Sequence, residues 1–185
     1  AEGTAVVCVV AGEGNKALFT ELGCAAIVDG GQSMNPSAAQ LLEAVESLNV
    51  QEAVILPNNG NVVLTAEQAA GMSSRTIVVV PSTSMTAGLS AMVAFEPDTD
   101  ALNNARLMEE AVKATHNAEI TVAVRDSQVG GVAVQKDQVI GLVDGELAAT
   151  GESLLEVFEL VLDALAPHDP AVVTVLTALN GGTPT

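Results

Sequence analysis

Four short runs of aliphatic and β-branched residues, each followed by a helix-length segment, constrain this chain more than any other feature. They are "TAVVCVVA" (Thr4–Ala11), "CAAIVDGG" (Cys24–Gly31), "EAVILPN" (Glu52–Asn58) and "TIVVVPS" (Thr76–Ser82). A strand with one face in water alternates apolar and polar residues. These runs are apolar nearly throughout, so both faces of each need cover, as in a parallel sheet flanked by helices. The segments between them supply the helices: Asn15–Leu22, Ser37–Leu48, Val62–Met72 and Ser84–Phe95. In the second of these, apolar residues recur at helical spacing and Pro36 takes an expected N1 position. Aromatic residues make up only 2% of the chain, with no Trp or Tyr, so the core is built from Val, Ala, Leu and Ile. The reading is an α/β fold: a doubly wound, mainly parallel sheet over residues 1–96.

After Pro97 the grammar changes. Thr99–His116 is an amphipathic helix opened by Thr99 or Asp100 as its cap. The stretch from Ala118 to Thr150 carries Gly-Gly and Asp-Gly turn signals between alternating residues, the pattern of antiparallel hairpins, with Asp144-Gly145 the strongest turn. A last helix (Glu152–Leu165) and a last strand (Ala171–Leu179) complete the pattern. Residues 97–180 are expected to form a smaller α+β part, either a second domain or an extension of the first, and 181–185 a disordered tail. So few residues precede the first strand that the chain reads as a domain cut from a longer protein.

The formal charge is −17, with only six Lys and Arg. Such a surface repels polyanions, which excludes nucleic acid, and it repels an anionic membrane equally. No run approaches the ~18 apolar residues of a membrane span, and no basic segment opens the chain. Cys8 and Cys24 lie in or beside apolar runs without CxxC spacing, which reads as two structural thiols in a reducing cytoplasm.

In an open parallel sheet, the loops that leave the strands emerge together at the carboxyl edge, where ligands characteristically bind. Here those loops read "AGEGNK", "DGGQSMNPS", "PNNGN" and "PSTSMTAG". Gln32, Ser33, Asn35, Ser37, Asn58, Asn59, Asn61, Ser82, Thr83 and Ser84 supply neutral donors and acceptors, while Gly12, Gly30, Gly31 and Gly60 allow close backbone approach. Asn and Ser also cap helices and make turns, and one such loop would need no other explanation. Four at one edge point to a binding or docking surface.

The same loops offer little reactivity. They carry no His, their one nearby base is Lys16, and the carboxylates Glu13 and Asp29 show no evident pairing. His116 and His168 read as solvent-facing. There is no HExxH, no GxxxxGK[ST] and no GxSxG, and the GxG at Gly12–Gly14 lacks the rest of a dinucleotide fingerprint. Arg125, in "VRDS", reads as a salt bridge or turn contact beside Asp126, with ligand anchoring as the other possibility.

"GGQSMNPS", "VILPNNGNVVLTAEQAA", "VVPSTSMTAGLSAMVAFEPDTD", "ITVAVRDS" and "IGLVDGELAATG" resemble the C-terminal region of the dihydroxyacetone-kinase-like (DAK2/DegV-related) fatty acid kinase large subunits, in order from about Val6 to Val175. The resemblance implies an α/β fold related to DegV and dihydroxyacetone kinase, and a domain that engages the acyl-carrying, DegV-type small subunit. In that family a separate N-terminal domain binds ATP and magnesium through clustered aspartates, the large subunit is a homodimer, and the assembly makes acyl phosphate for phospholipid synthesis. That nucleotide domain is absent from this chain, so no cofactor and no catalysis are expected of it alone. Relatives also carry a Lys in a "PTKS" pattern where this chain has Pro81-Ser82-Thr83-Ser84, and many continue past the last strand.

Three classes of function follow: a non-catalytic docking domain from the large subunit of a kinase, a binder of a fatty acid or dihydroxyacetone-like molecule, and an enzyme such as a phosphatase. Co-purified lipid would favour the second, and the missing base, nucleophile elbow and metal cluster disfavour the third.

Overall fold

The computed structural model describes residues 3–30 and 35–168. They fall into two compact units, one running to Thr115 and one starting at His116. In the first unit, β1 (Thr4–Val10), β2 (Ala26–Asp29), β3 (Glu52–Leu56) and β4 (Thr76–Val79) pair in parallel in the order β2-β1-β3-β4. Every residue of β1 is buried, which is why that run shows no alternation.

Five helices pack on this sheet: α1 (Glu13–Glu21), α2 (Ala38–Glu46), α3 (Val63–Met72), α4 (Met85–Val93) and α5 (Ala101–Lys113). Alternate residues of the central strands feed different cores, because side chains along a strand point to opposite faces. Val6, Cys8, Val54 and Leu56 pack with Phe19, Met92 and Met108 of α1, α4 and α5. Val7, Val9, Ala53 and Ile55 pack with Leu41, Val45 and Ala66 of α2 and α3.

Two sequence expectations change here. The local pattern groups the helix from Thr99 with the hairpins, beyond a boundary at residue 96. Instead α5 completes the core of the first unit through Ala101, Ala105 and Met108. Asn104, fully buried, fixes the turn before it: its Nδ2 donates to the carbonyls of Glu96 and Thr99 at 2.8 Å each, and its Oδ1 accepts from the Glu96 N–H at 2.9 Å. Pro36 is not at N1 of α2. Ser37 takes the cap, accepting from the Gln40 N–H at 3.2 Å while the Gln40 side chain accepts in return from the Ser37 N–H at 2.8 Å, so Pro36 precedes the cap.

The other end of α2 is closed from a distance. Arg75 donates from Nη1 to the carbonyls of Val45 and Leu48, both at 2.8 Å, and from Nη2 to that of Glu46 at 3.1 Å. A guanidinium over the last carbonyls of a helix satisfies orphan acceptors and complements the helix dipole. Arg75→Ala is therefore expected to cost about 2 kcal/mol, given the usual worth of charged hydrogen bonds, and Arg75→Lys should restore only part of it. A urea melt checks both variants. An unchanged midpoint for Arg75→Ala would remove the cap from the stabilising contacts.

The second unit is antiparallel, as the turn signals predict. β5 (Ala118–Val122), β8 (Val139–Val143) and β9 (Glu146–Gly151) form one sheet in the order β5-β8-β9, and β6 (Ser127–Val129) with β7 (Val132–Val134) a separate hairpin. Asp144 and Gly145 turn β8 into β9 at φ 51° and 83°, the pair of positive values that a two-residue hairpin loop requires. The helix α6 (Leu154–Leu165) covers this sheet with Val157 and Val161. Gly141 of β8 sits directly beneath them. The strand expected at Ala171–Leu179 and the tail at 181–185 lie outside the described residues. Among the described residues, no helix is long and apolar enough to cross a membrane.

Candidate functional site

Because all four strands of the first unit run the same way, their carboxyl ends and the loops that follow share one edge. The strand order changes direction between β1 and β3, which places the crevice of this edge outside the ends of those two strands. Asn58 stands there and spans it. Its Nδ2 donates to the Val9 carbonyl on β1 at 3.1 Å, and its Oδ1 accepts from the Ser82 hydroxyl at 2.8 Å. The Ser82 oxygen in turn accepts from the Asn58 N–H at 3.0 Å. Both residues are buried, Asn58 to 3% and Ser82 to 0% exposure. Asn58 sits at φ 54°, in the left-handed region that Asn tolerates better than most residues. This pair ties the loops after β1, β3 and β4 into one rigid piece, with its polar atoms turned inward.

Three other predicted residues are occupied with local structure. Ser37 caps α2, the Asn59 Oδ1 accepts from the Asn61 N–H at 2.9 Å to open a short 3-10 turn at Gly60–Val62, and Ser84 caps α4 by accepting from the Ala87 N–H at 3.1 Å. The side chains that face outward are Asn35, Asn61 and Thr83, all exposed. Gly60 brings the third and fourth loops together, since a methyl group there would meet Thr83 Cγ2 at 3.9 Å. Gln32 and Ser33 lie outside the described residues. Arg125 belongs to the second unit, where it is exposed, and its neighbour Asp126 accepts from the Lys136 N–H at 2.7 Å.

The edge also carries a charge cluster that the sequence showed only in part. Lys16 of α1 donates to Glu13 Oε1 and to Asp29 Oδ2, both at 2.8 Å, joining the loop after β1 to the end of β2. Glu13 is visible one turn away in sequence, whereas Asp29 arrives only through the β1–β2 pairing. The hydrogen bond to Asp29, then that to Glu13, raises the pKa of Lys16 and holds it protonated. A general base needs the neutral amine, so this lysine is poorly suited to proton abstraction. Beneath the sheet, burial pushes the Cys8 thiol up, and its Sγ lies 3.8 Å from the Met92 sulfur, as suits a core residue.

A concavity of about 300 Å³ opens at the opposite, amino edge, lined by Thr4, Glu52, Asp98 and Asp100. Its carboxylates serve the N-terminus of α5: Glu52 accepts from the Ala101 N–H at 2.7 Å and Asp100 from the Asn103 N–H at 2.9 Å. The carboxyl edge therefore remains the candidate. It can recognise through amides, a hydroxyl and one compensated charge cluster. Among its described residues, no His or Cys stands beside a hydroxyl to activate it.

A family model for the C-terminal region of proteins like the A chain of fatty acid kinase matches residues 5–184. The chain belongs to that family. Protein YloV of Bacillus subtilis (strain 168) is 34% identical over 171 residues, which is 92% of this chain and 31% of that protein. An uncharacterized protein of Staphylococcus epidermidis is 31% identical over 174 residues, 94% of this chain and 32% of its own length. Another, from Staphylococcus aureus (strain USA300), is 31% identical over 173 residues with the same coverage of 94% and 32%. The chain thus spans about a third of the length of the curated relatives it matches. As a member of this fatty acid kinase family, it presents both the parallel sheet with its carboxyl edge and the antiparallel unit within the matched span.

Proposed function

We propose that the carboxyl edge of the first unit is a docking face for the acyl-carrying small subunit of a fatty acid kinase, and that the first unit is of the doubly wound, DegV- and dihydroxyacetone-kinase-related kind. The observation that carries this reading is the division of labour at the edge. Asn58, Ser82 and the caps hold the loops rigid, and Asn35, Asn61 and Thr83 are left facing outward on that frame. A preorganised polar surface binds a protein at lower entropic cost than mobile loops would. Family membership supplies the kinase context. In this reading ATP and magnesium bind another domain of a larger, cytoplasmic, homodimeric protein, and this chain contributes docking rather than catalysis.

Thr83 occupies the loop where relatives carry the lysine of the "PTKS" pattern, and it is exposed. Calorimetric titration of the chain with the acyl-loaded small subunit should give saturable binding. The triple variant Asn35→Ala, Asn61→Ala, Thr83→Ala should weaken it at least ten-fold, while exposed positions of this kind shift stability by no more than about 0.5 kcal/mol each. Undiminished affinity in that variant would place docking elsewhere. Fatty acid recovered from the purified chain, with no response to the small subunit, would instead make the edge a small-molecule site.

A further inference from the structure

The chain contains only two histidines, and the fold of the second unit brings them together. His116 and His168 stack with ring centroids 3.7 Å apart and 28° between their planes. Asp144, in the β8–β9 turn, places Oδ2 2.7 Å from His116 Nδ1. Its other oxygen accepts from the Asn117 N–H at 2.9 Å, and its own N–H donates to the Asn117 carbonyl at 2.7 Å. The carboxylate is therefore fixed in place. The His116 hydrogen bond, then the Asn117 N–H, holds its pKa below the ordinary carboxylate value.

An ion pair between His116 and Asp144 would not require His168. Two stacked imidazolium rings repel each other, so the cluster favours at least one neutral ring, and a neutral imidazole offers a lone pair. One donor atom from each of the three residues lies within 4.8 Å of the others. A tetrahedral ion with bonds of ~2.1 Å separates its ligand atoms by roughly 3.4 Å. All three side chains are exposed, so that closure needs only modest side-chain rotation. We propose that His116, Asp144 and His168 form a binding site for one divalent transition-metal ion of the zinc class. Two imidazoles and a carboxylate suit zinc, cobalt or nickel better than magnesium or calcium, which prefer all-oxygen shells. Water completes the coordination. The ion clips together the start of the unit, the β8–β9 turn and the end of the segment after α6, and it links metal occupancy to the stability of that unit. The strongly negative surface raises the local concentration of cations at such a site.

The test is a zinc titration of the metal-stripped 185-residue chain, prepared without a polyhistidine tag, by calorimetry and by thermal unfolding. Saturation at one zinc per chain is expected, with a higher unfolding midpoint and tetrahedral d–d bands when cobalt(II) replaces zinc. His168→Asn and Asp144→Asn should each weaken zinc at least ten-fold, and Asn at 144 tolerates the left-handed turn, so that variant keeps its fold. Cys8→Ser should bind zinc like the parent chain. No saturable heat, or unchanged affinity in both His168→Asn and Asp144→Asn, would overturn the proposal.

Discussion

Gly88→Ala is expected to destabilise the protein by about 3 kcal/mol, and its sign is expected to reverse once Asn58 is removed. A methyl group at Gly88, in the middle of α4, would collide with Asn58 Oδ1 and lie 2.6 Å from its Cγ. The amide cannot move aside without giving up the Val9 carbonyl and the Ser82 hydroxyl. Each buried polar group left unpaired costs about 1–3 kcal/mol. Against this stands only the ~1 kcal/mol by which Ala exceeds Gly in a helix interior. Asn58→Ala alone loses the same two bonds and adds about 1 kcal/mol for an alanine held at positive φ, for a total near 4. In that background the new methyl enters vacated space, so Gly88→Ala should gain up to about 1 kcal/mol. Urea melts of the four proteins give the coupling directly, and additivity would show that α4 does not rest on the Asn58 amide. The cycle also explains why Asn58 is a poor probe of docking: its loss loosens the whole edge, whereas Asn61 and Thr83 test the surface itself.

Gly141→Ala should cost a further large amount, about 2–3 kcal/mol, in the second unit. A Cβ on β8 at this position would collide with Val161 Cγ2 and lie 2.9 Å from Val157 Cγ1. Both valines are buried, at 3% and 0% exposure, and β-branched side chains on a helix have one strongly preferred rotamer. They cannot swing away, so α6 must lift from the sheet. The pairing of β8 with β9 is already irregular at Gly141–Leu142, which leaves little slack in the strand. Thermal unfolding measures the loss, and Val161→Ala in the Gly141→Ala background should recover part of it by opening the needed space. Failure of that rescue would mean that the strain falls on the backbone rather than on the α6 contact.

Much of this architecture was legible in the residues alone. The unbroken apolar runs at Thr4–Ala11 and Glu52–Asn58 required cover on two faces, which a parallel sheet with helices provides. Local turn chemistry marked the Gly130-Gly131 and Asp144-Gly145 hairpins, because only a few residue types accept two successive positive φ values. Ser37 and Asp100 announced the helix starts they cap. The edge at which the polar loops gather also followed from the strand direction.

What those loop residues do was decided by tertiary structure. Asn58 and Asn61 are the same residue type three positions apart, yet one is sealed between β1, Ser82 and α4 while the other faces out. The partners of Asn58 lie 49 and 24 residues away, beyond the reach of any local pattern. The same holds for Arg75 reaching the end of α2, for Asp29 completing the Lys16 cluster, and for the two histidines meeting at Asp144. Sequence determines what depends on a residue and its near neighbours: periodicity, caps, turns and net charge. Which polar groups are consumed inside and which are offered to a partner depends on contacts between distant segments, and only the folded chain sets those.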